Sequence, residues 1–142
     1  MTPEQITLVQ ESFRLVLPIR APAAALFYDR LFEIDPGTRQ LFTNTDIEVQ
    51  GQKLMAALGF VVGALRQPDT MLATVRCLAL RHVGYGVVSP HYQSVGEALL
   101  WTLRTGLGEA ATPAVMAAWQ AAYAMLSGAM LQAVAGADQQ AA

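Results

Sequence analysis

The sequence predicts an all-α domain, and three observations carry that prediction. Helix starts are marked again and again by a capping residue followed by proline. Apolar residues recur at spacings of three and four through most of the chain. No segment alternates with a period of two or has the β-branched, turn-bounded composition of a strand.

Thr2-Pro3-Glu4-Gln5 is a capping box with proline in the first helical position, opening a helix over 3–17 that Pro18 closes. A second helix begins around Arg20 and runs to 34. Asp35-Pro36 repeats the cap-then-proline pattern and opens a short helix over 36–42. Thr45-Asp46-Ile47-Glu48 reads as another capping box, for a helix over 46–66. Gln67-Pro68-Asp69 opens a helix over 68–83, which Gly84 and Gly86 end. Ser89-Pro90 and Thr112-Pro113 open the last two, over 90–106 and 113–134. The domain covers 3–135, and residues 136–142 read as a disordered tail.

Hydrophobic residues make up 54% of the chain and charged residues 14%. Either a membrane protein or an unusually large interior fits that balance. The longest near-continuous apolar run, Leu54 to Leu65, lies between Lys53 and Arg66 and is too short to span a bilayer. Gln120, Ser127 and Gln132 interrupt the stretch 114–133, which reads instead as a thoroughly buried helix. The surplus of apolar residues suggests that something large and flat is enclosed. A net charge of −2 without a basic run speaks against nucleic acid or an anionic membrane surface as partner. A single cysteine, Cys77, excludes an internal disulfide and a thiolate metal site. Glu4 and Glu11 stand where a signal peptide would need an apolar core, so the expected location is cytoplasmic.

The stretch Cys-Leu-Ala-Leu-Arg-His-Val-Gly-Tyr-Gly-Val-Val-Ser-Pro-His-Tyr, residues 77–92, holds both histidines. His91 falls in the first turn of a helix, near solvent. His82 continues the apolar stripe of Met71, Val75 and Leu78. A neutral imidazole there can give one nitrogen to a metal and the other to a carbonyl about one turn back, or be an ordinary core histidine. A structural zinc would want about four nitrogen or sulfur ligands, more than two histidines and one cysteine supply. A lone axial histidine makes sense where a cofactor brings the remaining ligands. Haem does so with four pyrrole nitrogens, and a porphyrin also calls for apolar wrapping.

With these residues in view, the chain resembles the globins, in particular single-domain bacterial haemoglobins and the haem domain of flavohaemoglobins, over roughly residues 3 to 134. Residues 27–42, Phe-Tyr-Asp-Arg-Leu-Phe-Glu-Ile-Asp-Pro-Gly-Thr-Arg-Gln-Leu-Phe, resemble the family's second helix and the short helix after it. In that resemblance Phe42 stacks on the porphyrin and Tyr28 is the distal tyrosine. Residues 81–100 resemble the proximal segment, with His82 as the iron ligand, and the run around Trp119 resembles the final helix. The fold implied is a globin of about seven helices around a haem pocket, and the cofactor implied is haem b.

Gln50 and Gln52 compete for the distal position. Placing Gln50 there makes Ile47, Gln50, Leu54, Leu58 and Val61 one continuous inward stripe, whereas Gln52 would bring Ala56 over the iron. Gly51 is then small enough to let this helix cross closely over Ala24. The resemblance further implies that Leu54 limits ligand entry, that Lys53 partners a haem propionate, and that Leu78, Tyr92 and Val95 complete the cofactor contacts. Tyr92 matches the family's tyrosine near the proximal histidine, but the glutamate that partners it falls at Val134 here.

The resemblance implies reversible, tight dioxygen binding through donors on Tyr28 and Gln50, with carbon monoxide and nitric oxide as further ligands. Nitric oxide dioxygenation would need an external reductase. A haem-based gas sensor and a non-haem helical interaction protein of globin shape are the alternatives. The six methionines and the alanine-rich last helix fit either a homodimer interface or the core of a monomer.

Overall fold

The computed structural model describes the backbone of residues 1–84 and 89–141, and the side chains of these except 83, 84, 89 and 136–141. Thr2 opens α1 (Pro3–Val16) with the expected capping box: its hydroxyl accepts from Gln5 N–H, and the Gln5 side chain accepts from Thr2 N–H. Pro18 interrupts the helix, and a 3-10 turn over Leu17–Ile19 leads into α2 (Arg20–Ile34). The segment Pro36–Phe42 is 3-10 rather than α-helical. Then follow α3 (Ile47–Gly63), α4 (Pro68–Gly84), α5 (Ser89–Leu107), a 3-10 turn over Gly108–Ala110, and α6 (Pro113–Ala141). Among the described residues there is no strand.

Two expected caps are built differently. Asp35 does not cap the segment after it with its side chain; its carboxylate accepts from the Ser94 hydroxyl at 3.0 Å instead. Its backbone carbonyl takes both the N–H and the hydroxyl of the buried Thr38. The cap of α3 is Asp46, not Thr45, because its carboxylate reaches both Glu48 N–H at 2.9 Å and Val49 N–H at 3.4 Å. A carboxylate that takes two orphan donors leaves no such work for a hydroxyl one residue earlier. Thr112 caps α6 through Val115 N–H, as expected, while the side chain of Ser89 and residue Gly86 lie outside the described residues.

The core runs between α1, α2, α5 and α6. Val9, Phe13 and Val16 of α1 share the core with Trp119 of α6, whose ring lies 6.2 Å from that of Phe13 and whose indole N–H donates to the buried Ser12 hydroxyl at 2.9 Å. That hydroxyl in turn donates to the Leu8 carbonyl at 2.6 Å, so a polar pair inside the core is satisfied. Phe27 and Leu31 of α2 face Ala98, Leu99 and Leu103 of α5 in the same core.

The thorough burial expected of α6 is not found. Residues Pro113–Ala135 are long and apolar enough to cross a membrane by length and composition, yet only 22% of that window is buried. Val115, Ala118, Trp119, Ala122 and Met130 form the buried stripe. The physical reason is composition: alanine raises the apolar content on every face of the helix without needing to be covered. Backbone helix also continues to Ala141, past the end expected near 134.

Candidate functional site

Phe27 and Tyr28 on α2, Phe32 one turn on, and Phe42 at the end of the 3-10 segment form one aromatic cluster. Tyr28 sits edge-on to Phe27 at 4.9 Å and to Phe42 at 5.3 Å between ring centroids, and Phe42 lies 5.8 Å from Phe32. Arg39 covers the outer face of Phe32 at 5.1 Å. Offset and edge-to-face geometry of this kind is the favoured one for aromatic rings. The Asp35–Ser94 bond holds the 3-10 segment against α5 and so fixes where Phe42 stands.

Tyr28 is 3% exposed, and burial pushes its hydroxyl up to about 12. A hydrogen bond with the Gln50 side chain works in the opposite direction. Tyr28 therefore stays a neutral phenol, a proton donor, with an amide beside it. Gln50 reaches it because α3 crosses α2 closely: a Cβ built on Gly51 would lie only 2.9 Å from the Ala24 Cβ. No residue larger than glycine fits that crossing without moving a helix. Gln52 is exposed. Ile47, Leu54 and Leu58 are half-buried and Val61 is buried, so the stripe with Gln50 does turn inward. Lys53 is exposed.

Across the molecule, α4 buries Met71, Val75 and Ala79 most deeply, and Leu78 and His82 flank that line half-buried. His82 Nδ1 lies 2.6 Å from the Leu78 carbonyl oxygen, one turn back. A carbonyl can only accept, so the proton belongs on Nδ1 and Nε2 carries the basic lone pair. Among the described residues no group of three or more His, Cys, Asp or Glu could hold a metal ion. A single oriented imidazole is a donor set that suits a macrocyclic metal cofactor rather than a metal held by protein alone. His91 is half-buried in the first turn of α5.

Tyr92, in that same first turn, and Val95, one turn on, are half-buried against the core, and burial raises the Tyr92 hydroxyl above its ordinary range. Two residues here went unassigned in the sequence reading. The Tyr123 hydroxyl of α6 donates to the Tyr92 carbonyl, and its ring lies across Gly96. Burial and the neighbouring Tyr92 push that hydroxyl upward, and the Gly96 backbone works the other way. A glycine inside a long helix costs about 1 kcal/mol relative to alanine, which is the signal that could have marked a close approach at Gly96.

Residues 25–130 match the family described as Globin. Over 103 residues, 71% of this chain, it is 39% identical to a flavohemoprotein of Bordetella pertussis. Identity to the Bacillus subtilis flavohemoprotein is 31% over 107 residues, or 74% of this chain. A Xylella fastidiosa flavohemoprotein is 31% identical over 125 residues, 86% of the chain. The chain spans 26%, 27% and 31% of the length of these three relatives. Helical architecture, the oriented His82 and this likeness agree: the chain belongs to the globin family of haem-binding proteins.

Proposed function

We propose that this globin holds haem b through His82 and binds dioxygen tightly beneath Tyr28 and Gln50. When bound, the haem supplies the iron that takes a diatomic gas and exchanges an electron. The observation that carries the reading is the Tyr28–Gln50 pair, a buried phenol held neutral with an amide against it. Together they offer two donors from two helices, fixed before any ligand arrives. A hydrogen bond to a charged acceptor is worth about 1.5–3 kcal/mol, so each donor retards release of a gas that gains negative charge about tenfold or more. An apolar ligand that gains none, such as carbon monoxide, benefits less.

Leu78 and Val95 supply apolar contact on the proximal side, and Phe42 an aromatic face, while exposed Lys53 is free of the core and suited to a propionate. Nitric oxide is the second reactant of this reading, converted together with dioxygen to nitrate, with the electron supplied by a reductase. The purified protein should show a strong Soret band, a five-coordinate ferrous form and a stable form under oxygen. Tyr28→Phe should speed oxygen dissociation at least tenfold, read by stopped flow. An unchanged off-rate would remove the distal pair from the proposal, and no Soret band after hemin addition would remove haem.

A further inference from the structure

The proximal side of this chain lacks a feature that the resemblance leads one to expect. Val134, where a carboxylate would partner Tyr92, is half-buried against the core and brings no hydrogen-bonding group. Another side chain of α6 is anchored to the same turn of α5. The Tyr123 hydroxyl donates to the Tyr92 backbone carbonyl, and the Gly96 backbone also contacts that hydroxyl. The ring reaches this point only because position 96 has no side chain: a Cβ there would come within 2.5 Å of Cε1 and 3.0 Å of Cδ1 of Tyr123. The contact is therefore a matched pair, a ring on one helix and a missing side chain on the other.

We propose that Tyr123 is the positioning residue of the proximal wall, hooking α6 into the first turn of α5 and so setting where Tyr92 and Val95 meet the haem. This rests on the haem reading above. The hook acts on backbone, so it fixes the turn as a body and not the Tyr92 hydroxyl alone. It carries no charge, in contrast to a carboxylate, and it leaves the Nδ1 proton of His82 shared with the neutral Leu78 carbonyl. A neutral acceptor makes the imidazole a weaker electron donor than a carboxylate partner would. The arrangement suits holding and releasing a gas better than breaking an oxygen–oxygen bond.

The test uses the whole chain loaded with haem and two variants. Tyr123→Phe keeps the ring and deletes the hydroxyl, so the fold persists. It should speed hemin transfer to an acceptor globin about fivefold, the worth of one ordinary hydrogen bond. It should also shift the iron–histidine stretching band of the ferrous form in resonance Raman, which a merely structural tyrosine would not move. Gly96→Ala should produce the same shift by displacing the ring, and should add nothing in a Tyr123→Ala background. If the stretching band and the hemin transfer rate match the parent in both single variants, the proposal is wrong while the haem reading stands. If the parent chain takes up no hemin, both fall, and the Soret band separates the two results.

Discussion

On the α2–α3 side, Tyr28 and Gln50 meet through their side chains, and three further aromatic rings, Phe27, Phe32 and Phe42, cluster around Tyr28. On the α4–α6 side, His82 and Tyr123 both donate to backbone carbonyls, those of Leu78 and Tyr92. On the proposed reading, the distal wall is specified by residue types, each of which must be what it is. Apart from His82, Tyr123 and Gly96, the proximal wall of that reading is specified by helix placement, since the acceptors there are backbone carbonyls that any residue offers. Substitution should therefore change ligand chemistry on the distal side and cofactor retention on the proximal side.

The strongest test of that contrast is His82→Ala. It removes the imidazole that the proposed function sets against the iron. Hemin retention should fall by more than the ~100-fold that loss of an outer-shell partner costs a metal site. The Soret band should be lost on purification and return with added imidazole. A parent-like Soret band in His82→Ala would place the iron ligand elsewhere and undo the division between the two walls.

The next effect is alkaline and distal. The Tyr28 hydroxyl is raised to about 12 by burial, while in the unfolded chain it titrates near 10. The folded form thus keeps a proton that the unfolded form has already lost. Stability from this group is complete below pH ~10 and declines as pH rises through the folded value. The slope is about 1.4 kcal/mol per pH unit, or nearly 3 kcal/mol over that window. Denaturant midpoints of the apoprotein between pH 9 and 12 measure it. Tyr28→Phe should flatten the curve by the Tyr28 share, leaving what Tyr92 and Tyr123 contribute in the same direction. A curve of equal steepness in the variant would mean that Tyr28 is not buried in solution.

This division also explains what could be read without coordinates. Tyr28 and Phe42 were singled out by the family resemblance and Gln50 by the inward stripe of its helix, because the chemistry expected of them depends on residue type. The 2.6 Å contact from His82 to Leu78 was legible for a related reason, since a carbonyl one turn back is fixed by helix geometry alone. The Tyr123 contact was not, because its acceptor lies on another helix and a backbone carbonyl has no sequence signature. Asp35 misled for the converse reason. A carboxylate before proline reads as a cap, and nothing local reveals that Ser94, 59 positions away, competes for it. Alanine in α6 misled through hydropathy, which counts apolar atoms and not whether they are covered.

The smallest effect sharpens the comparison most, because it touches the distal wall through backbone placement. Gly51→Ala puts a methyl carbon 2.9 Å from the Ala24 Cβ, well inside the ~3.5–4 Å at which carbon atoms rest. Overpacking of this kind costs about 1–3 kcal/mol. Better helix propensity offsets about 1 kcal/mol of that. The net loss should be about 1 kcal/mol, a fall in Tm of about 3 °C for a chain of this size. Helices α2 and α3 must also separate, which draws Gln50 away from Tyr28 and speeds oxygen release without loosening hemin. Ala24→Gly in the same chain should restore the close crossing and return the oxygen off-rate to that of the parent. A rise in Tm for Gly51→Ala alone would show that the two helices already stand further apart, and that Gln50 meets Tyr28 by side-chain reach rather than by the crossing.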